Sequence, residues 1–213
     1  REALVEVLHT ILWAVAVEAE IILDQSQFHS LKEETTLLGK KIVETSKSIA
    51  TPYLLSLAHE ASADIAWDIE GDPNRALGLY NAAAASAREI GDSSAVGRLL
   101  TILATLQQWR AWSTEYVDER RKILEEGLRF AEEAVERLEI SFHTPYLAKA
   151  WAALAGCHIG LANLVETDLH KKREELAKAA DAASRGMTLG NGTVEWENCT
   201  HEFSRATFFL AMT

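Results

Sequence analysis

The sequence predicts an all-α protein of stacked antiparallel helix pairs. Three observations carry that prediction. Each of the three prolines follows a helix-capping residue, Gly-Asp and Gly-Asn stops punctuate the chain, and apolar residues between these marks recur at helical spacing. Proline at the first helical position gives up no needed hydrogen bond, and the Thr or Asp before it can accept from free backbone N–H groups. Thr51-Pro52, Asp72-Pro73 and Thr144-Pro145 therefore start helices.

Glycine supplies the stops. Gly71-Asp72, Gly91-Asp92 and Gly190-Asn191 each close an apolar-periodic run, where a left-handed residue ends a helix. The elements then follow in order. Helices are predicted over 2–24, 29–49, 52–70, 73–90, 93–115, 117–141, 145–165, 168–189 and 194–213. The second carries Leu31, Leu38, Ile42 and Ile49 on one stripe. In the fourth, Ala76, Tyr80, Ala83, Ala87 and Ile90 share a face. In the sixth, Leu124, Leu128, Ala131, Val135 and Leu138 repeat that spacing. No stretch alternates with period two. The connections are short, so sequential helices are expected to be antiparallel neighbours.

An internal echo turns these helices into repeats. Thr51-Pro52-Tyr53-Leu54 returns as Thr144-Pro145-Tyr146-Leu147. Downstream of each, Leu77, Ala83, Ala84 and Gly91 have counterparts in Leu176, Ala182, Ala183 and Gly190. Matching marks in two helix pairs are the signature of a helical solenoid. The expected organisation is one helical-repeat domain over 1–213, about four pairs plus a terminal helix. The start at Arg1 and the apolar finish at Thr213 read as cuts in a longer chain.

Composition narrows the function classes. Apolar residues make up 48% of the chain, enough for a core, and the formal net charge is −11. That balance argues against nucleic-acid binding, which needs a basic stripe. The runs Lys40-Lys41, Arg120-Arg121-Lys122 and Lys171-Lys172-Arg173 sit beside acids and read as solvated helix faces. Acids interrupt the apolar segment Leu4 to Leu23, so it reads as a buried helix and neither a membrane span nor a leader. Two cysteines, Cys157 and Cys199, give no disulfide framework and no zinc spacing. A reduced, cytoplasmic setting is expected.

Residues 60–92 carry a family likeness. Gly71-Asp72 between two helices, Ala76-Leu77, Tyr80 and Ala83-Ala84, with Trp67 on the preceding helix, resemble the second half of a tetratricopeptide repeat. The continuation through Ala87 to Asp92, then Ala95, Leu99, Leu100 and Leu103, is similar to the longer repeats in sensor arms of signal-transducing ATPases and related regulators. The likeness departs from the family pattern at Ala63 and Asp64. It implies a right-handed superhelix whose first helices line a concave, partner-binding surface. Independently, the small residues Ala61, Ala66, Ala83 and Ala87 let helix axes approach closely.

No constellation points to catalysis. Glu6-x-x-His9 stands alone where a di-iron bundle needs two such pairs, and no glycine loop cradles phosphate; Gly186, Gly190 and Gly192 read as helix-end and turn glycines. Cys157 and His158 are adjacent, and adjacent helical residues diverge by about 100°, so a buried thiol is expected rather than a nucleophile–base pair. His59, Glu60 and Asp64 read as a solvated face. The stripe of Trp109, Trp112 and Tyr116 reads as core, with a binding hot spot as its alternative. The expected activity is thus non-enzymatic, without metal or cofactor: binding of a protein or peptide through His59, Arg98, Arg110, Trp112 and Lys149. Self-association through the final helix, with Phe203, Phe208 and Phe209, is the alternative, and a small-molecule or metal-binding protein the third.

Overall fold

The computed structural model describes residues 25–49, 51–141, 144–165, 168–189 and 194–213. Among them are eight α-helices and no strand. They are α1 (Gln25–Ile49), α2 (Pro52–Asp64), α3 (Pro73–Glu89), α4 (Ser93–Ser113), α5 (Val117–Ser141), α6 (Thr144–Asn163), α7 (Leu169–Leu189) and α8 (Val194–Met212). The helix expected over 2–24 lies outside the described residues, as do Glu6, His9 and the Gly190-Asn191 stop. Every other expected helix is present with ends displaced by a few residues.

The chain divides into two compact units at Asp92/Ser93. In the first, α1 packs on α2 and α2 on α3. Ile42, Leu54, Ala58, Ala61, Ile65 and Ile69 form its core. The sequence led us to expect one helix over 52–70. Instead α2 passes into a π-helical turn, Ile65–Ile69, in which Glu70 N–H donates to Ile65 O at 2.9 Å. Glu70 anchors the end of that turn. Its carboxylate accepts from Thr36 Oγ1 at 2.6 Å and pairs with Arg75. Burial alone would raise its pKa, but these hydrogen bonds and the nearby cations hold it below the ordinary carboxylate range.

The caps behave as their chemistry requires, with one exception. Gly71 and Gly91 both take positive φ, 66° and 71°. After Gly91 the backbone closes a Schellman motif: Asp92 N–H donates to Ala87 O and Gly91 N–H to Arg88 O, each at 3.1 Å. Asp72 caps α3 by accepting from Arg75 N–H at 3.0 Å. Thr51 makes no such bond, so proline alone marks the start of α2. Asp168 caps α7 by accepting from Lys171 N–H at 3.0 Å.

In the second unit each helix from α4 to α8 packs on the next. In addition α4 packs on α6, and α6 on α8. The first helix of one pair therefore touches the first helix of the next, as stacked helix pairs must. Pairings along the helices fix their antiparallel sense. Gln107 meets Glu126 while Gly97 meets Leu138, and His158 meets Glu175 while Trp151 meets Gly186.

Small residues set these approaches. A Cβ added at Gly127 would stand 3.0 Å from Gln107 Cβ and 3.5 Å from Ala104 O. Gly186 lies within α7, buried against Trp151 and Cys199. It is a packing glycine and not the helix-end residue expected. The paired alanines of the echo are also core: Ala83 and Ala84 in one unit, Ala182 and Ala183 in the other, none more than 2% exposed.

Two cations of a basic run are held by backbone. Arg120 donates through Nε and Nη2 to Thr114 O at 3.1 and 2.6 Å, capping the end of α4, and Arg121 Nη2 reaches Leu164 O at 3.5 Å. They are not merely solvated. Among the described residues no helix is long and apolar enough to cross a membrane.

Candidate functional site

The outward stripe of α4 runs Arg98, Ile102, Thr105, Trp109 and Trp112, at helical spacing. It opens progressively: Arg98 and Ile102 are half-buried, and Thr105, Trp109 and Trp112 are exposed. Trp109 is 54% exposed, Trp112 59% and Tyr116 73%. The expectation that this aromatic stripe is core is overturned. Ala111, Val96, Leu99, Leu100, Leu103 and Leu106 fill the core instead, and the tryptophans fall on the opposite side. Their rings lie 6.0 Å apart at 48°.

Of the five candidate binding residues, the structure brings two together. The Arg98 guanidinium and the Lys149 ammonium each lie 5.8 Å from the centre of the Tyr146 ring, a cation–π arrangement across α4 and α6. Burial lowers the pKa of Arg98, which Tyr146 partly offsets. Trp112 lies on the same stripe as Arg98, fourteen residues further along and so about 21 Å away. Arg110 turns elsewhere. Its Nη1 donates to Gln107 Oε1 at 2.6 Å, and buried Gln107 donates in turn to Glu126 Oε2 at 2.5 Å. Arg110 thus belongs to a relay that ties α4 to α5. His59 is half-buried on α2, in the first unit.

The neighbours of His59 do not form a solvated face. Glu60 is 7% exposed, and Asp64 accepts the Tyr80 hydroxyl at 2.5 Å across α2 and α3. Burial pushes the Asp64 carboxyl up to about 6; Tyr80 opposes that shift and Asp68 adds to it. Cys157 is fully buried as expected, its thiol pushed up to about 12 by burial, and Gln108 Nε2 lies 3.5 Å from its sulfur.

Each unit has a cleft among its described residues. One in the first unit, about 490 Å³, is lined by Lys32, Thr36, Leu37, Lys40, Glu70 and Asp72 among others. The second, about 400 Å³, lies within the second unit between α5, α6 and α7. Arg121, Glu125, Leu128 and Glu132 line it from α5, His158 and Leu161 from α6, Val165 from just beyond α6, and Lys171, Glu175 and Lys178 from α7. At its base His158 is 8% exposed and its Nδ1 lies 2.7 Å from Glu175 Oε2. The other oxygen of Glu175 accepts from Lys178 at 3.2 Å. Burial would raise the pKa of Glu175, but its bonds to His158 and Lys178 hold it below the usual range. An ionised Glu175 requires Nδ1 to carry its proton, which fixes the ring orientation.

Sequence reasoning did not find this His–Glu pair. A signal exists: His158 and Glu175 are almost equally far from the middle of the α6–α7 connection, and antiparallel hairpins bring such residues together. Among the described residues no group of three His, Cys, Asp or Glu side chains could hold a metal ion. No protein-family model matches the chain, and no curated protein is significantly similar to it.

Proposed function

We propose that this chain is a non-enzymatic interaction module built of tetratricopeptide-like repeats. In this reading the pairs wind into a right-handed superhelix whose first helices offer a concave face to a protein or peptide, as in the sensor or scaffold arm of a cytoplasmic regulator. The supporting observation is the exposed Trp109–Trp112 pair on α4, a first helix that stacks on the next first helix, α6. Tryptophan is enriched among residues that dominate binding energy, and paired exposed indoles are costly to leave in water. Arg98 and Lys149 would frame the same surface.

The test is capture by the immobilised chain followed by quantification of bound proteins. Replacing Trp109 and Trp112 together by Ala is expected to abolish a specific capture that the wild type shows. An unchanged set of captured proteins would sink the reading.

A second reading is self-association through α8, favoured by Phe208 at 61% and Met212 at 74% exposure, with the Phe208 and Phe209 rings 5.7 Å apart. The solution mass across a concentration series separates the two. A constant monomer mass rules against self-association.

A further inference from the structure

We infer that the α5–α6–α7 cleft binds a small zwitterion of the α-amino-acid class, its carboxylate at the Arg121–Lys171 end and its ammonium between Glu125 and Nε2 of His158. This site is independent of the proposed protein-binding face. The inference starts from the buried imidazole. Nδ1 is committed to Glu175, and among the described residues nothing bonds Nε2. With Nδ1–H held by Glu175, Nε2 is the ring nitrogen left for a ligand, and it accepts a ligand N–H whenever the ring is neutral.

Charge along the cleft then selects the ligand. Three cations and three carboxylates line it, so neither a simple anion nor a simple cation is favoured. Lys178 and Glu175 satisfy each other. What remains is ordered along the cleft. Arg121 reaches Leu164 O near the end of α6, and Lys171 lies in the first turn of α7, at that same end. Both α5 and α7 run antiparallel to α6, so Glu125 follows one turn inward, about 6 Å along, beside the His158–Glu175 pair, and Glu132 lies about two turns further on. A positive end one helical turn from an acidic, acceptor-bearing middle matches a carboxylate and an ammonium carried on one carbon, each held at hydrogen-bonding distance. Leu161 and Leu128 supply the apolar wall for a side chain. The volume, about 400 Å³, suits a small ligand.

The whole chain would be titrated with each free amino acid, using calorimetry and ¹H–¹⁵N NMR of the imidazole nitrogens. Amino acids blocked as N-acetyl or carboxamide derivatives form the second arm, and glycyl dipeptides the third. At least one free amino acid is expected to bind and to move the Nε2 resonance. Blocking either end, or separating the charges in a dipeptide, should weaken binding about tenfold or more. His158→Asn keeps an N–H for Glu175 but deletes Nε2, and should weaken binding by a similar factor. Arg121→Ala at a half-buried surface position should do the same, and carries the test if His158→Asn does not fold. The inference is overturned if no free amino acid binds at about 10 mM, if blocked forms bind equally well, or if a folded variant keeps wild-type affinity.

Discussion

Gly186 of α7 lies against Cys199 of α8 with no room for a methyl group between them. A Cβ there would overlap the Cys199 sulfur and stand 3.1 Å from Trp151 Cβ and 3.2 Å from Ala148 O. Cys199 cannot simply turn aside, because it is fully buried and its sulfur contacts Ala148 O at 3.3 Å. The glycine lets three helices meet.

Gly186→Ala is therefore expected to destabilise the protein by about 1–3 kcal/mol, overpacking outweighing the helix-propensity gain. Gly78→Ala in α3 is the control. A Cβ there meets nothing within 4 Å, so the substitution should stabilise by about 0.5–1 kcal/mol. Urea denaturation of both variants reads the opposite signs.

Asp64→Asn is expected to stabilise the first unit at neutral pH. Burial lifts the folded carboxyl from its ordinary 3.8 to about 6, so between these values the folded state holds a proton that the unfolded state has lost. Stability from this group is full below the lower value and falls as pH rises through the upper one. The loss is on the order of 3 kcal/mol at most. Asn removes it while its oxygen still accepts from Tyr80. Melting curves should show the variant ahead at pH 7.5, with the gap closing as pH falls toward 4.

Glu175→Gln should have the opposite pH signature. The folded carboxylate is held below its ordinary value, so its contribution is present at neutral pH and is lost as pH falls through that lowered value. The variant is expected to be less stable by about 1 kcal/mol at neutral pH. The difference from wild type should shrink in acid, as followed by thermal melts across the range.

Trp112→Ala separates the surface and core readings of the tryptophan stripe. An exposed tryptophan costs no more than about 0.5 kcal/mol on removal, whereas a core one costs about 3–5 kcal/mol. Equilibrium unfolding is expected to give the smaller figure.

The sequence by itself determined the helices and their ends, because caps, glycine stops and apolar periodicity act over a few residues. Pro52, Asp72-Pro73, Gly91-Asp92 and the Ala83/Ala182 echo all do locally what their chemistry demands. Even His158–Glu175 was latent there, nearly symmetric about its connection. Tertiary structure decided the rest. Whether Trp109 faced core or solvent depended on which side of α4 received α5 and α6, and leucines on the other face won that side. Gly186 was read as a helix end because glycine's reason there, contact with Trp151 and Cys199, comes from helices distant in sequence. The cleft arises only when α5, α6 and α7 stand side by side, since its charges are scattered over three helices that no local rule connects.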